Sequence, residues 1–220
     1  MTGFSLNVSQ YVNTLRYLRP VQIYGRLWHN IYRPKPDLKP PPELRTPSGI
    51  WCTPAAKYPS FTPPTRFRLL NEDHEIVSAA DWNRPAWNKL WLYNLHYFDD
   101  LSAGGADERL DAHYALIRCW IAENPPGIGN GWEPYPLSLR IVNWIKWLLA
   151  GNKPDCEALA SLAVQARFLN KRLEYHLLGN HLFSNAKTLV FAGLFFAGPE
   201  ADAWLAKGWK VLADEIPEQV

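Results

Sequence analysis

The sequence is poor in cysteine and has no long apolar run. Its three cysteines, Cys52, Cys119 and Cys156, form no CxxC pair and no even-numbered set, so neither a disulfide framework nor a cysteine metal site is indicated. No stretch approaches the roughly 18 consecutive apolar residues of a membrane-spanning helix. The opening residues, MTGFSLNVSQ, lack the charged lead and apolar run of a secretory signal, which favours the cytoplasm.

A strong charge of either sign is also missing. The net charge is +2 and charged residues make up 20% of the chain, whereas a nucleic-acid-binding protein would cluster its lysines and arginines. His176 and His181 are five residues apart, not at the HExxH spacing, and no GxGxxG loop occurs. The sequence therefore indicates no metal site and no cofactor.

Aromatic residues are the feature in excess, with 11 Trp, 10 Tyr and 9 Phe. One interpretation is a core filled with large side chains, for which a 47% hydrophobic chain has ample material. The other is a cleft in which aromatic faces pack on the apolar faces of sugar rings while the N–H or O–H ends reach hydroxyl groups. Composition leaves both open.

The first part of the chain, residues 1–85, is predicted to be a helix followed by an extended segment. Residues 8–33 carry an imperfect apolar face that Pro20 should bend or break. Residues 34–65 hold a large share of the 19 prolines, which predicts an extended connection that either wraps the surface or links two parts. A short β-hairpin with a turn at 71–73 is predicted within residues 66–78.

The second part, residues 86–220, is predicted to be helical throughout. Short Gly/Pro connections between such helices favour antiparallel hairpins, and stacked hairpins give a solenoid or a toroid. The fold class expected is therefore all-α. The predicted helices span 86–102, 107–123, 136–150, 155–178, 181–197 and 200–214.

Three segments of the predicted helical region combine polar and aromatic residues: KLWLYNLHYFDDL (89–101), GNGWEPYPLSLRIVNWIKWL (129–148) and EYHLLGNHLFSNAKTLVFAGLFF (174–196). Their order and wording resemble the N-terminal domain of the heparinase II/III family of polysaccharide lyases, as does TLRYLRPVQIYGRLW (14–28). The resemblance implies an incomplete α/α toroid followed by a C-terminal β-sandwich. It also implies β-elimination of uronic-acid polysaccharides such as heparan sulfate or alginate-like chains, often in the periplasm.

Asn180 and His181 match the paired Asn-His motif of that family. The resemblance gives Asn180 the role of neutralising a uronate carboxylate, with His181 assisting catalysis or binding substrate. A local interpretation is that Gly179 ends one helix and Asn180 is the N-cap of the next. The two are compatible, because a helix N-terminus also favours an anion.

Further substrate-binding residues are expected within the same segments. His96 would ordinarily be structural, and the resemblance makes it a candidate. Arg140 would grip a carboxylate or sulfate with its planar fork, or else pair internally with Glu133. Trp132 and Tyr135 lie in a Gly/Pro-rich loop, where binding groups are common. The full set is His96, Tyr93, Asn94, Tyr97, Trp132, Tyr135 and Arg140.

The resemblance places the catalytic Tyr and His of the family beyond the Asn-His motif, and no residue of this chain matches either. We therefore expect the 220-residue chain alone to bind polysaccharide without cleaving it, and the C-terminal β-sandwich region of the same protein to be its partner.

Three alternatives remain open from the sequence. The first is a non-catalytic carbohydrate-binding or scaffold protein, and the second is a helical adaptor whose aromatic residues are all core. A glycoside hydrolase is the third, and it needs two facing carboxylates. Its candidates are Asp99, Asp100, Glu133 and Glu174.

Overall fold

The computed structural model describes residues 18–219, and these residues are mainly helical, as the sequence predicts. Within them lie seven α-helices, a three-stranded antiparallel sheet and four short 3-10 helices. Closure of the helices into a toroid, and the division at residue 85, stay predictions. The helices are α1 (Pro20–Ile31), α2 (Lys89–Leu95), α3 (Leu110–Glu123), α4 (Pro134–Leu149), α5 (Cys156–Asn170), α6 (Gly179–Phe195) and α7 (Pro199–Gln219), and the strands are β1 (Phe61–Thr62), β2 (Arg66–Leu69) and β3 (Glu72–Glu75). None of the helices in this range is both long and apolar enough to cross a bilayer.

Helix α1 begins at Pro20 rather than bending there. Proline suits the first helical position because its missing N–H has no intrahelical partner to lose. The rest of the predicted helix, residues 8–17, lies outside the described residues. Helix α1 is joined to the rest of the chain by Arg172, whose Nη1 donates to the carbonyl oxygens of His29 at 3.2 Å and Tyr32 at 2.7 Å.

The proline-rich segment wraps the surface of the helices. Arg167 at the end of α5 donates to the carbonyl oxygens of Lys39 at 2.6 Å and Pro40 at 2.9 Å. Leu44 forms an isolated antiparallel bridge with Phe196 just after α6. Since prolines supply no amide donors, these contacts use the carbonyl oxygens of the segment and the amides between the prolines.

The β-hairpin predicted within residues 66–78 is present, with its turn slightly earlier than predicted. Leu70 and Asn71 both have left-handed φ angles, 54° and 63°, as a two-residue hairpin turn requires. Strand β1 adds a third strand, which the sequence did not indicate. The sheet turns Phe61 and Phe67 toward the core, where their rings stack at 4.7 Å.

Two predicted helices end earlier than expected. The helix predicted over 86–102 stops at Leu95, because Phe98 adopts a left-handed φ of 59° that a helix cannot continue through. The helix predicted over 155–178 stops at Asn170, and Leu178 has a φ of 58°. Residues 171–178 are therefore a loop, and this loop brings Glu174 beside the start of α6.

The core is built around α4, which is buried along most of its length. Helix α6 packs against it, and the contact includes hydrogen bonds from Thr188 and Asn185 of α6 to Ser138 of α4, both at 3.0 Å. The five largest fully buried side chains in the described residues are all tryptophans, so much of the aromatic excess belongs to the core. These tryptophans are Trp82, Trp91, Trp120, Trp144 and Trp204.

Helices α6 and α7 form an antiparallel pair that glycines allow to approach closely. A Cβ atom on Gly193 would lie 2.6 Å from the carbonyl oxygen of Ala201, and one on Gly208 would lie 2.8 Å from that of Ala186. Real Cβ atoms do not come so close to backbone oxygen, so alanine at either position requires the helices to move apart.

Overpacking usually costs about 1–3 kcal/mol, and the roughly 1 kcal/mol that alanine gains over glycine inside a helix offsets part of this cost. We therefore expect Gly208→Ala to lower the free energy of unfolding by up to about 2 kcal/mol. Urea denaturation measures the change. Gly104→Ala is the control, because a Cβ there meets no described atom within 4 Å. Equal stability of the two variants would show that the helices are not in this close contact.

Candidate functional site

Asn180 and His181 lie in the first turn of α6. The N-cap of this helix is Leu178, so Asn180 is the second helical residue and not the N-cap expected from the sequence. No side chain in the described part of the chain caps the turn by a hydrogen bond. Uncapped amides and the helix dipole make such a turn favourable for an anion. The Asn180 side chain is exposed at this point.

A buried carboxylate holds His181 in place. The Nδ1 atom of His181 donates to Oε1 of Glu174 at 3.2 Å, and the Glu174 side chain is only 7% exposed. This hydrogen bond raises the pKa of His181 above its ordinary value. Since Nδ1 is used by Glu174, Nε2 on the other edge of the ring is the nitrogen left to contact a ligand. The His181 side chain is 39% exposed, so a ligand has access to it.

Glu174 is itself fixed by Asn185 of α6. The Asn185 Nδ2 atom donates to Oε2 of Glu174 at 3.1 Å, while the Glu174 backbone N–H donates to Oδ1 of Asn185 at 2.8 Å. Asn185 is fully buried and its Nδ2 also donates to Ser138. A carboxylate satisfied in this way keeps one orientation, and so does the histidine attached to it.

Two tyrosines continue the site from His181. The Tyr135 ring, at the start of α4, lies 4.5 Å from the His181 ring, and the Tyr97 ring lies 6.2 Å from Tyr135 in an edge-to-face arrangement. Tyr135 is half-buried and Tyr97 is buried. Burial raises the pKa of Tyr97, so its hydroxyl keeps its proton at neutral pH. We call Asn180, His181, Glu174, Tyr135 and Tyr97 the Asn-His site.

Tyr93 lies beside the Asn-His site and is tied to Glu133. Its hydroxyl donates to Oε2 of Glu133, whose Oε1 lies 3.0 Å from Nζ of Lys89. Burial, and then this hydrogen bond, raises the pKa of Tyr93. The negative charge of Glu174 adds to the same rise. Glu133, which accepts from Tyr93, precedes Tyr135 of the Asn-His site by two residues.

His96 is not part of this surface, contrary to the sequence prediction. It is completely buried, its Nε2 donates to the carbonyl oxygen of Trp82 at 3.0 Å, and its Nδ1 accepts from Nε1 of Trp120 at 2.9 Å. Burial lowers the pKa of His96 to about 3, so the ring is neutral. With both nitrogens occupied inside the core, His96 is a structural residue.

Arg140 and Trp132 are also core residues and do not face a substrate. Arg140 donates from Nε to Oε1 of Gln165 at 3.0 Å, and its guanidinium lies 3.8 Å from the centre of the Trp120 ring. The internal partner is therefore an amide and an aromatic face, not Glu133. Trp132 is buried, and its Nε1 donates to the carbonyl oxygen of Asn124 at 3.2 Å.

Asn94 faces away from the Asn-His site. Its side chain donates to the carbonyl oxygen of Leu90 one turn back in α2, at 2.8 Å. It lines a very small cavity beside the sheet, together with Phe67 and Asp100. Of the sequence-predicted residues, the structure therefore brings together Asn180, His181, Tyr93, Tyr97 and Tyr135.

Among the four candidate carboxylates, Glu133 and Glu174 lie near the Tyr93 and His181 end of the site, and Asp99 lies near Tyr97. Asp100 is buried and holds the backbone N–H groups of Ser60 and Phe61 and the side chain of His113, a structural role. The link between Glu174 and His181 escaped the sequence analysis, because the leucine periodicity placed Glu174 inside a helix.

The described residues form a mainly helical domain, with Asn180 and His181 beside the Tyr135 ring. A family model described as the heparinase II/III N-terminus matches residues 78–220, well over half of the chain. The chain therefore belongs to the heparinase II/III N-terminal family, and the family implies a polysaccharide substrate. Searches of curated proteins and of solved structures gave no significant match.

We expect Glu174→Gln to lower the pKa of His181 toward the ordinary histidine value. The substitution keeps the side-chain shape and removes the negative charge that favours imidazolium. Titration of the His181 ring by NMR measures the change. Glu133→Gln is the matched control, since Glu133 contacts Tyr93 and Lys89. If the titration of His181 is the same in wild type and Glu174→Gln, the ion pair does not form in solution.

Proposed function

We propose that the Asn-His site binds a uronic-acid unit of an acidic polysaccharide and neutralises its carboxylate for β-elimination. One observation carries this proposal: Asn180 is exposed at an uncapped helix start, beside a histidine that Glu174 favours in its charged form. Membership of the heparinase II/III N-terminal family supports it.

The chemistry explains why such donors are needed. In β-elimination a base removes the proton on C5 of the uronate, and the electron pair moves toward the neighbouring carboxylate as an enolate-like form. Negative charge grows on the carboxylate oxygens, where the Asn180 amide and the His181 Nε2–H would donate. One well-placed donor of this kind supplies about 2–4 kcal/mol of transition-state stabilisation.

The reaction is completed when the C4–O4 bond breaks, C4 and C5 become doubly bonded, and the departing O4 takes a proton from an acid. Tyr93 and Tyr97 are poor choices for the base, because burial keeps both protonated. The family resemblance gives the base and the acid to a Tyr and a His without counterparts in this sequence. We propose that this chain supplies binding and charge neutralisation.

Tyr135 is suited to hold the sugar ring itself. It is half-buried at the edge of α4, with its ring against His181, so part of the aromatic surface is open to a ligand. Packing of a sugar's C–H face on such a ring leaves the hydroxyl groups to polar neighbours. An adaptor with every aromatic residue in the core does not account for this exposed ring.

We expect Asn180→Ala to weaken the binding of a short oligouronate about ten- to hundredfold. A hydrogen bond to a charged group contributes about 1.5–3 kcal/mol, which corresponds to that range of dissociation constants. Isothermal titration calorimetry with a purified oligouronate measures it. Asn30→Ala, an exposed asparagine of α1, is the control. Unchanged affinity in Asn180→Ala would remove Asn180 from the proposed site.

We expect the purified 220-residue chain to bind polyuronate without releasing unsaturated sugar. The measurement is ultraviolet absorbance of the C4–C5 double bond, together with a reducing-end assay. A rise in absorbance would show that the chain contains its own base and acid. New reducing ends without unsaturation would instead favour the hydrolase alternative, with Glu133 and Glu174 as the carboxylates to test.

A further inference from the structure

Three lysines from different parts of the fold lie close enough for their charges to act on one another, beside the second half of α4. Lys57 belongs to the extended segment, Lys146 to α4 and Lys187 to α6; the first is exposed and the other two are half-buried. We call them the lysine cluster. Nζ of Lys57 lies 3.5 Å from Oδ2 of Asp99, which ties the extended segment to the loop after α2.

The lysine cluster adjoins the tyrosine end of the Asn-His site. Asn143 of α4 donates from Nδ2 to Oδ1 of Asp99 and to the carbonyl oxygen of Tyr97, both at 2.8 Å. Lys146 lies three residues further along α4, on the same side of the helix. A series of contacts therefore joins Lys57 to Asp99 and, through Asn143, to Tyr97. Asn143 lies about one helical turn from Lys146.

The distance between the lysine cluster and His181 allows one polysaccharide strand to contact both. Tyr135, which contacts His181, lies eleven residues before Lys146 on α4, close to three full turns, so both side chains project from the same side. Eleven residues span about 16 Å along the helix axis. A polysaccharide strand that crosses the surface from Tyr135 to Lys146, half-buried residues near the two ends of this otherwise mostly buried helix, would cover both places.

The charges of the cluster are not balanced by its own contacts. Burial lowers the pKa of Lys187, and the charges of Lys146 and Lys57 lower it further. Burial also lowers the pKa of Lys146, with Lys57 adding to the effect and Asp99 opposing it. Three neighbouring ammonium groups beside the carboxylate of Asp99 repel one another, and a bound anion would relieve that repulsion.

Space for a ligand lies next to the cluster. A cavity of about 320 Å³ is lined by Lys146 of the cluster and by Ala56, which is adjacent to Lys57 in the chain, and Asp107 lies in the same wall. Its wall also includes Trp147 and Asn152, so apolar and polar surface are both available. Ligand sites combine these features, with polar groups at a few points of a largely apolar lining.

We propose that the lysine cluster is a second anion-binding subsite, which takes a carboxylate or sulfate group from another part of the polysaccharide strand whose uronate occupies the Asn-His site. This inference rests on the proposed function and extends it to a strand several sugar units long. Lysine ammonium groups suit either anion, because they act as point charges on flexible stems rather than as a fixed fork.

The test compares short and long oligouronates by isothermal titration calorimetry. The variant is Lys146→Met with Lys187→Met, which removes both charges while keeping apolar stems in place. We expect it to bind a long oligouronate about five- to tenfold more weakly than wild type and to bind the disaccharide unchanged. Lys210→Met, an exposed position on α7, is the control and should leave both affinities unchanged. The thermal unfolding midpoint of each variant verifies that it is folded.

The outcomes separate the two proposals. Equal affinity of wild type and the double variant for both the sulfated and the unsulfated long chain, with disaccharide binding intact, overturns the lysine subsite and leaves the proposed function standing. Failure of wild type to bind either length overturns the proposed function itself. Sulfated and unsulfated octasaccharides form two further arms: a loss confined to the sulfated chain assigns the cluster to sulfate, and a loss with both assigns it to carboxylate.

Discussion

The contact between α4 and α6 at Ser138 determines the arrangement of the Asn-His site. Ser138 accepts hydrogen bonds from Asn185 and from Thr188. The Asn185 side chain also hydrogen-bonds to the backbone N–H and to the carboxylate of Glu174. These groups are buried, so each unmade bond would carry the full desolvation cost of a polar group. The same crossing sets the start of α4 near the start of α6, which brings Tyr135 against His181. The register of one buried helix pair thus becomes the geometry of a surface site.

How much of this could be predicted depends on which physical signal each residue carries. Helical periodicity predicts the helices, and the Asn-His motif identifies Asn180 and His181. Neither signal predicts that Phe98 and Leu178 adopt a left-handed φ angle. Leucine spacing continued past Asn170 because the loop at 171–178 also buries Leu173. Periodicity cannot separate a helix from a loop that happens to bury residues at the same intervals. The sequence therefore identifies Glu174 as a candidate carboxylate but does not predict its hydrogen bond to His181.

His96 and Arg140 illustrate a different limit. A core rich in tryptophan contains indole N–H groups that need acceptors, and aromatic faces that accept cations. Trp120 uses both, since its N–H donates to His96 and its ring lies under Arg140. Polar residues embedded in aromatic sequence therefore have two origins that look the same in the sequence. Some serve a ligand, while others satisfy the core, and only burial distinguishes them.

A buried carboxylate next to a proposed carboxylate site is at first sight unfavourable. Glu174 favours the imidazolium form of His181, so the two side chains form an ion pair. The net charge of this pair is close to zero, and it therefore does not repel a ligand carboxylate. A pair that is neutral overall orients a ligand well but attracts it weakly from solution. In the proposed arrangement, attraction comes from positive potential at the start of α6 and at the lysine cluster about 16 Å away along α4. A strand with an acidic group on successive sugars fits that spacing better than a single uronate does, so length and charge together would select the ligand.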